Sequence, residues 1–322
     1  MSLGALLDSF RGVRALVVGD VMLDEYVFGR ANRISPEAPV MVISQERTNS
    51  VPGGAANVAK NIVALGGTAR LVGVVGEDDA GRTLGSAIGE MRGLESRLVT
   101  DPGRATTRKT RVVADHSHQV LRIDSESTRS VEGGVAAQVV DAVKGAIEGC
   151  GVVVMSDYLK GALPDAVAKE VLQAARERGV PVAVNPKPRS AALYHGCKLL
   201  SLNRAEAAEL SGSEIGSRED AERSAGQIRE RLGAESATVT LGAEGIVAAT
   251  PVGTMSAIPP KVEVYDTAGA GDTVIAALAL GLAGGDLSEA LLRLAVEASA
   301  RVVRHVGVAV PDEADLESIR AL

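Results

Sequence analysis

Short apolar runs recur along the chain, and most of them end at a glycine or a polar residue. Helical stretches lie between these runs, which predicts repeated strand–helix units in a doubly wound, mostly parallel α/β sheet flanked by helices. We place the strands at 15–18, 71–75, 152–155, 182–184, 199–202, 237–241 and 246–249. Ligands bind beyond the carboxyl ends of the strands in such sheets, so the polar residues found there are the first candidates for function.

Two segments, at about 26–50 and 104–124, show a different pattern. Apolar and polar residues alternate in the second segment, and the first holds a strand-like run at 40–43 in polar, proline-containing surroundings. Alternation is typical of strands with one solvated face. We therefore predict a small β-sheet, inserted as a lid into a single domain that spans 1–322.

A glycine-rich stretch, 265–273 (YDTAGAGDT), follows an extended-looking run at 261–264 and opens a strongly apolar helix at 274–282. Gly269, Ala270 and Gly271 are predicted at the helix N-terminus, where unpaired N–H groups and the helix dipole attract an anion. Asp272 would lie in the first helical turn, placed to act as a general base toward a hydroxyl that attacks a phosphoryl group. The alternative is a glycine-rich turn that Asp272 merely caps.

Two other polar groups lie near the start of the chain. Asp20 and Asp24 follow the strand at 15–18, and ionised carboxylates accept hydrogen bonds from sugar hydroxyls. Gly53 and Gly54 precede Asn57 and a helix predicted at 58–65, and glycines there let a ligand approach backbone N–H groups. Turn and capping chemistry is the alternative for both groups.

Composition narrows the classes of protein. Of the 322 residues 46% are hydrophobic, enough for a sizeable core, and the net charge of −7 argues against a general nucleic-acid binder. Neither a signal peptide nor an apolar run long enough to span a bilayer is found, which predicts a cytoplasmic protein without a membrane partner. Cys150 and Cys197 are too few for a disulfide framework or a metal cluster. The four histidines lack metal-ligand spacing: His116, His118, His195 and His305.

Five motifs, in order along nearly the whole chain, resemble those of the ribokinase-like (PfkB) carbohydrate kinases. They are Gly19-Asp20-x-x-x-Asp24, Gly53-Gly54-x-x-Asn57, Asn203-x-x-Glu206, Thr240-Leu241-Gly242-x-x-Gly245 and Asp266-Thr267-x-Gly269-Ala270-Gly271-Asp272. The ordered series is more specific than any one motif. The sequence has no P-loop motif, no GxGxxG after the first strand and no GxSxG elbow. The resemblance implies a ribokinase-like fold and an ATP-dependent sugar kinase.

Further segments look like those of the branch of this family that acts on D-glycero-β-D-manno-heptose 7-phosphate. They are 19–24 (GDVMLD), 34–40 (ISPEAPV), 52–59 (PGGAANVA) and 156–161 (SDYLKG). This resemblance implies phosphorylation of the anomeric hydroxyl of heptose 7-phosphate by ATP, in the ADP-heptose route to lipopolysaccharide. Such kinases are fused to an adenylyltransferase in many bacteria, so the chain is expected to be a stand-alone kinase or the kinase half of the bifunctional enzyme.

The resemblance also implies a role for each motif residue. Asp272 would be the base, in an anion hole formed by Gly269, Ala270 and Gly271. Sugar hydroxyls would be held by Asp20, Asp24, Gly53, Gly54 and Asn57. The nucleotide side would be formed by Lys187, Asn203, Thr240, Gly242, Gly245 and Gly271. Asn203 and Glu206 would position Mg²⁺ through water, and Asp266 would help to hold a monovalent cation such as K⁺.

The predicted lid has consequences for the choice of substrate and for the oligomeric state. A sugar that already carries a phosphate needs cationic side chains, here called the clamp, to bind that phosphate at its far end. The candidates are Lys109, Arg111 and Arg122, which are spaced to project from the lid sheet. Lys109 and Arg111 would project from the same face. The alternative is a solvated charged face. Pairing two lids across a two-fold axis would cover the exposed strand edges, which predicts a homodimer.

Two other functions stay open. One is another kinase of the same family, acting on an unphosphorylated sugar or a hexose phosphate; charge removal at Lys109, Arg111 and Arg122 should raise KM selectively for a phosphorylated sugar. The other is a non-catalytic sugar- or nucleotide-binding module on the same fold, which an ATP-turnover assay would distinguish.

Overall fold

Two β-sheets organise the chain in the computed structural model, which describes residues 2–114 and 118–322. In chain order the strands are β1 (Arg14–Gly19), β2 (Val21–Ile34), β3 (Met41–Gly54), β4 (Thr68–Val75), β5 (Leu94–Thr100), β6 (Arg108–Ala114), β7 (His118–Ser125), β8 (Val152–Ser156), β9 (Val182–Asn185), β10 (Leu199–Asn203), β11 (Ser236–Thr240), β12 (Ile246–Thr250) and β13 (Gly253–Ala257). The helices are α1 (Leu3–Ser9), α2 (Ala55–Ala64), α3 (Asp79–Gly89), α4 (Gly133–Ala146), α5 (Asp165–Glu177), α6 (Arg204–Ser211), α7 (Arg218–Arg231), α8 (Ala270–Leu282), α9 (Glu289–Val302) and α10 (Glu313–Arg320).

The large sheet has nine strands in the order β13-β12-β11-β10-β9-β8-β1-β4-β5. All neighbours are parallel except β12, which runs antiparallel to both β11 and β13. Helices pack on both faces, with α1, α2, α3, α8, α9 and α10 on one side and α4, α5, α6 and α7 on the other. The predicted doubly wound α/β fold is therefore confirmed.

The core follows from the alternation of side chains along the central strands. In β1, Ala15 and Val17 face one helical layer, whereas Leu16 and Val18 face the other. Helix α8 is buried continuously from Asp272 to Leu280, which explains why its sequence has no polar face. The predicted helix is therefore central to the core and is buried from Asp272 onward, whereas Gly271, just before that residue, is exposed.

The small sheet has the order β3-β2-β6-β7, with β2 and β6 parallel and the other pairs antiparallel. Strands β2 and β3 extend beyond the two ends of the predicted segment 26–50, since β2 begins directly after Asp20 and β3 ends at Gly54. The lid therefore continues without a break into the strand-end motifs of the large sheet.

Some local expectations were wrong or lie beyond the described residues. The extended-looking run at 261–264 forms no strand, because Pro259 and Pro260 stop the chain from continuing the ladder of β13. Helix α2 begins at Ala55, three residues earlier than expected. His116 falls outside the described residues. Within the described ranges, no helix is both long enough and apolar enough to cross a bilayer.

Candidate active site

Asp272 lies at the centre of the site, in the first turn of α8. Its carboxylate accepts a hydrogen bond from Asn57 Nδ2 at Oδ2 (2.8 Å) and one from the Tyr158 hydroxyl at Oδ1 (2.7 Å). Burial raises the pKa of Asp272 to about 6, against the opposing effect of these two donors. A carboxylate with this pKa is largely ionised at neutral pH yet basic enough to take a proton, as a general base requires.

The two donors to Asp272 are themselves held in place. Burial and the charge of Asp272 raise the pKa of Tyr158 well above its usual value, so the phenol stays protonated and remains a donor. Asn57 is fully buried on α2, and its Oδ1 has no hydrogen-bond partner in the described part of the chain. A Cβ on Gly269 would lie 2.8 Å from Asn57 Nδ2, and Gly269 has φ 84°, so glycine is needed at that position.

Asp20 anchors the loop that carries Tyr158. Its carboxylate accepts hydrogen bonds from the N–H groups of Tyr158 (2.8 Å), Lys160 (3.0 Å) and Ala162 (3.0 Å). Burial raises the pKa of Asp20, and these donors oppose the rise. Strand β8 pairs with β1 in register at Gly19 and Ser156, which brings the two strand ends together. In this structure Asp20 shapes the loop, and its contact with a sugar stays a prediction.

Asp24, Gly53 and Gly54 form the boundary between the site and the lid. A Cβ on Gly53 would lie 1.8 Å from Asp24 Oδ2, so only glycine leaves room for that carboxylate. Gly54 has φ 58°, and a Cβ there would lie 2.4 Å from the Asp20 carbonyl oxygen. Asp24 is buried and forms an ion pair with Arg111 of the lid. Gly53 thus lies against Asp24, and Gly54 lies against the backbone of Asp20.

The predicted anion hole is only partly free. The N–H groups of Gly269 and Gly271 have no hydrogen-bond acceptor among the described residues, whereas the Ala270 N–H donates to the Thr267 carbonyl at 3.2 Å. Unpaired donors at the N-terminus of a buried helix, next to Asp272, form an arrangement that stabilises an anion. A bound phosphoryl group would have to compete with Thr267 for the Ala270 donor.

A cavity of about 120 Å³ joins Asp272 to the predicted nucleotide side. It is lined by Tyr158, Asn185, Lys187, Ser201, Leu202, Asn203, Glu206, Thr240, Gly269, Gly271 and Asp272. Lys187 lies between the two regions, because its Nζ is 2.6 Å from Glu206 Oε1 and 5.0 Å from the centre of the Tyr158 ring. Its charge lowers the pKa of Asp272, although burial is the larger influence.

Asn203 and Glu206 form the capping box of α6. Asn203 Oδ1 accepts from the Glu206 N–H, and Glu206 Oε2 accepts from the Asn203 N–H, both at 2.9 Å. The described residues include no cluster of three or more His, Cys, Asp or Glu side chains that could hold a metal. Because the two oxygens are already hydrogen-bonded and only one carboxylate is present, these residues fit a hydrated Mg²⁺ that is contacted through water, not a directly ligated one.

The remaining predicted residues lie around this cavity. Thr240 lines it, whereas Gly242 and Gly245 lie in the adjacent turn, where both have positive φ. Asp266 accepts hydrogen bonds from the N–H groups of Ala268 (2.9 Å) and Gly307 (3.0 Å), so both its oxygens brace the loop before α8. Its contact with a monovalent cation stays a prediction.

The lid cations share one face but are not free. Register places Lys109 beside Asp24 and Asp124, and Arg111 beside Tyr26 and Arg122, so all three cations project from the face that bears Asp24. Lys109 Nζ is 3.1 Å from Asp124 Oδ2, and Arg122 Nε is 2.9 Å from Asp124 Oδ1. Each predicted clamp residue is therefore paired with a carboxylate.

Sequence reasoning assigned no role to three residues near the site. Tyr158 and Lys160 follow β8, and the rule that selected Asp20 from the end of β1 would have selected them too. Lys60 lies one turn beyond Asn57 on α2; burial lowers its pKa, and the charges of Asp24 and Asp272 oppose this. A lysine in a helix gives no sequence signal of such proximity.

Comparisons with known proteins show the family to which the chain belongs. The model of the pfkB family carbohydrate kinases matches residues 14–315. The chain is 40% identical over 314 residues to the bifunctional protein HldE of Bradyrhizobium diazoefficiens, covering 97% of this chain and 64% of that protein. It is 42% identical over 319 residues to HldE of Caulobacter vibrioides, covering 98% of this chain and 65% of that protein. The chain thus spans slightly less than two thirds of these relatives.

Solved structures show the same fold. Phosphofructokinase-2 from Escherichia coli in complex with potassium superposes with a TM-score of 0.80 at 21% identity, covering 96% of this chain and 98% of that one. Arabidopsis thaliana ribokinase complexed with ribose and ATP gives a TM-score of 0.74 at 21% identity, covering 97% and 99%. These likenesses establish the ribokinase-like architecture. The family model covers most of the chain, so the chain belongs to the pfkB family of carbohydrate kinases.

Proposed function

We propose that the protein transfers the terminal phosphoryl group of ATP to the anomeric C1 hydroxyl of D-glycero-β-D-manno-heptose 7-phosphate, giving the 1,7-bisphosphate. The observation that carries the kinase chemistry is the buried Asp272, held by Asn57 and Tyr158 beside unpaired helix N–H groups. The resemblance of the motifs to heptose-phosphate kinases and the 40–42% identity to HldE proteins support the choice of sugar.

The geometry supports the following roles. Asp272 takes the proton from the sugar hydroxyl as that oxygen attacks phosphorus, and the pKa of about 6 suits this transfer at neutral pH. Asn57 and Tyr158 orient the carboxylate. The N–H groups of Gly269 and Gly271 face the charge that develops on the transferring phosphoryl oxygens, and Lys187 adds a positive charge in the same cavity.

Mg²⁺ would be held through water near Asn203 and Glu206, and when bound it neutralises charge on the nucleotide phosphates. Thr240, Gly242 and Gly245 would lie along the nucleotide. A K⁺ ion near Asp266 is a further part of the proposal, supported by the position of that carboxylate at the entry to α8.

The phosphate at the far end of the sugar would be bound by Lys109, Arg111 and Arg122. All three lie on the lid face that bears Asp24, so a sugar held by Asp24 would extend toward them. Ion pairs with Asp24 and Asp124 keep these cations ordered before the substrate arrives.

The lid also supports a homodimer. Large apolar side chains are exposed on it: Ile34, Val40, Met41, Leu121 and Ile123, with Leu121 and Ile123 each 53% exposed. Strands β3 and β7 end the small sheet, and a second copy would cover their free edges. Light scattering should report a dimer for the wild type and a monomer for Leu121→Glu/Ile123→Glu. A wild-type monomer at micromolar concentration would contradict the proposal.

The decisive experiment measures ADP release with Mg-ATP across heptose 7-phosphate, the unphosphorylated heptose, fructose 6-phosphate and ribose. Turnover confined to heptose 7-phosphate is expected. Turnover with a different sugar would reject the substrate but keep the roles of Asp272 and the anion hole. No turnover with any sugar would refute the proposed reaction.

A further inference from the structure

Lys160 occupies an unusual place in the loop after β8. Its N–H donates to Asp20, and its neighbour Leu159 has φ 57°, a left-handed conformation that non-glycine residues rarely adopt. The Leu159 N–H donates to Asp157 Oδ1 at 2.9 Å, and Asp157 Oδ2 accepts from the Tyr194 hydroxyl at 2.6 Å. These contacts hold the strained turn, so the point from which the Lys160 side chain leaves the loop is fixed.

The ammonium group of Lys160 reaches the lid. Lys160 Nζ lies 2.7 Å from Glu126 Oε1, and Lys109 Nζ lies 3.7 Å from the other oxygen of the same carboxylate, Glu126 Oε2. The Lys160 and Lys109 side chains are only 18% and 17% exposed. Two largely buried lysine side chains, one from the loop after β8 and one from lid strand β6, therefore converge on one carboxylate that follows β7.

The cationic side chains surround carboxylates of the protein itself in the way that they would surround a bound phosphate group. Lys109 is also bound to Asp124, which in turn binds Arg122 through both of its oxygens. The cations Lys109, Arg122 and Lys160 thus surround the carboxylates of Asp124 and Glu126 on the lid face that carries Asp24. A sugar phosphate entering from Asp24 would find its cationic ligands already gathered but occupied.

We propose that Lys160 is an additional ligand of the sugar's terminal phosphate and that Glu126 is its internal counterion, displaced when the phosphate binds. The inference rests on the proposed function, because it requires a substrate that carries a phosphate. The exchange is a change of ion-pair partner: Glu126 moves to solvent, and the phosphate oxygens take its place between Lys109 and Lys160. An unphosphorylated sugar does not drive this exchange, so the pair Lys160–Glu126 contributes to substrate choice.

The test measures the affinity of the full chain for heptose 7-phosphate and for the unphosphorylated heptose by titration calorimetry without ATP. Lys160→Met should weaken binding of the phosphorylated sugar about 10- to 100-fold, the effect of losing one charge-assisted contact, and should leave the unphosphorylated sugar unchanged. Glu126→Gln should tighten binding of the phosphorylated sugar, because it removes the competing anion. Lys144→Met and Glu170→Gln are matched controls, since that exposed pair also lies at 2.7 Å, on α4 and α5, and should affect neither sugar.

The outcomes separate the two proposals. The inference is overturned if Lys160→Met weakens both sugars equally or neither, if Glu126→Gln weakens binding as Lys160→Met does, or if no phosphorylated sugar binds. If heptose 7-phosphate binds with the expected dependence but no ADP is released, the phosphate site stands and the proposed reaction fails. If an unphosphorylated sugar is turned over and the phosphate brings no preference, the kinase stands and the phosphate site fails.

Discussion

Replacing Asp272 by asparagine should lower turnover sharply without reducing the stability of the fold. The amide cannot accept the proton of the sugar hydroxyl, so kcat should fall at least about 10²-fold, the usual scale for loss of a general base. The free energy of unfolding, in contrast, should stay the same or rise. Burial raises the pKa of Asp272 from 3.8 to about 6, so the folded protein binds this proton more tightly than the unfolded chain does.

The sign and size of the stability effect follow from that shift. A raised carboxyl pKa means that the stabilising proton is fully bound below pH about 4 and is lost as the pH rises through about 6. At pH 7 the charge therefore costs up to about 3 kcal/mol, from roughly two pKa units at about 1.4 kcal/mol each. The neutral amide removes this cost, so the free energy of unfolding at pH 7 should be unchanged or raised by up to about 3 kcal/mol.

The two hydrogen bonds of Asp272 can survive the substitution. Tyr158 can still donate to the new amide oxygen. The NH2 group of Asn57, however, would face the NH2 group of the new asparagine, and neither can accept a hydrogen bond. Rotation of the Asn57 amide resolves this conflict, because its Oδ1 is buried and has no partner among the described residues. The rotation leaves Asn57 Nδ2 in place of Oδ1 at the unpaired position, so the number of unpaired polar atoms does not change and the loss of the charge should dominate.

Two assays check the prediction. ADP release measures turnover, and urea unfolding at pH 7 and pH 4.5 measures the free energy of unfolding, whose difference between variant and wild type should shrink at the lower pH. Asp141→Asn, on the exposed side of α4, is the control and should change neither quantity by much. Near-normal turnover would refute the role of Asp272 as base. A variant more than about 1 kcal/mol less stable than wild type at pH 7 would refute the electrostatic reasoning.

Further predictions follow from the same contacts. The wild-type kcat should fall as the pH drops below about 6, because Asp272 is then protonated. Tyr158→Phe, which removes a donor to the carboxylate, should move this acid limb upward by about one pH unit; an unmoved pH profile would contradict the contact. Gly53→Ala should raise KM for the sugar and lower stability by about 1–3 kcal/mol, because its Cβ would meet Asp24 Oδ2 at 1.8 Å. Gly226→Ala, in the open middle of α7, should instead stabilise by up to about 1 kcal/mol, as thermal unfolding would show.

Much of the fold could be predicted because local pattern and global structure agree. The short valine-rich runs became the central strands, and the helix after the glycine-rich stretch became α8, since both are buried on all sides and carry a continuous apolar signal. The run at 261–264 looks extended in the sequence but belongs to neither sheet, because Pro259 and Pro260 precede it and cannot donate to a strand ladder.

The site could be predicted only as far as motif residues extend. Asp272 and Asn57 lie in motifs, but nothing local shows that they hydrogen-bond to each other across the fold. Tyr158 could have been selected as a candidate because it follows the carboxyl end of a strand, as Asp20 does. Glu126 and Lys60 were not, because a charged residue just after a lid strand or within a helix is usually solvated, and only tertiary packing brings these two close to the site.

The hydrogen bond between Asn57 and Asp272 joins residues that are 215 positions apart. A ribosome adding about 5–20 residues per second makes Asn57 roughly 10–40 s before Asp272. During that interval the residues proposed to bind the sugar can assemble, but the proposed phosphoryl-transfer centre does not yet exist. A nascent chain that has not reached Asp272 should therefore be catalytically silent, and activity itself should report that α2 and α8 have met.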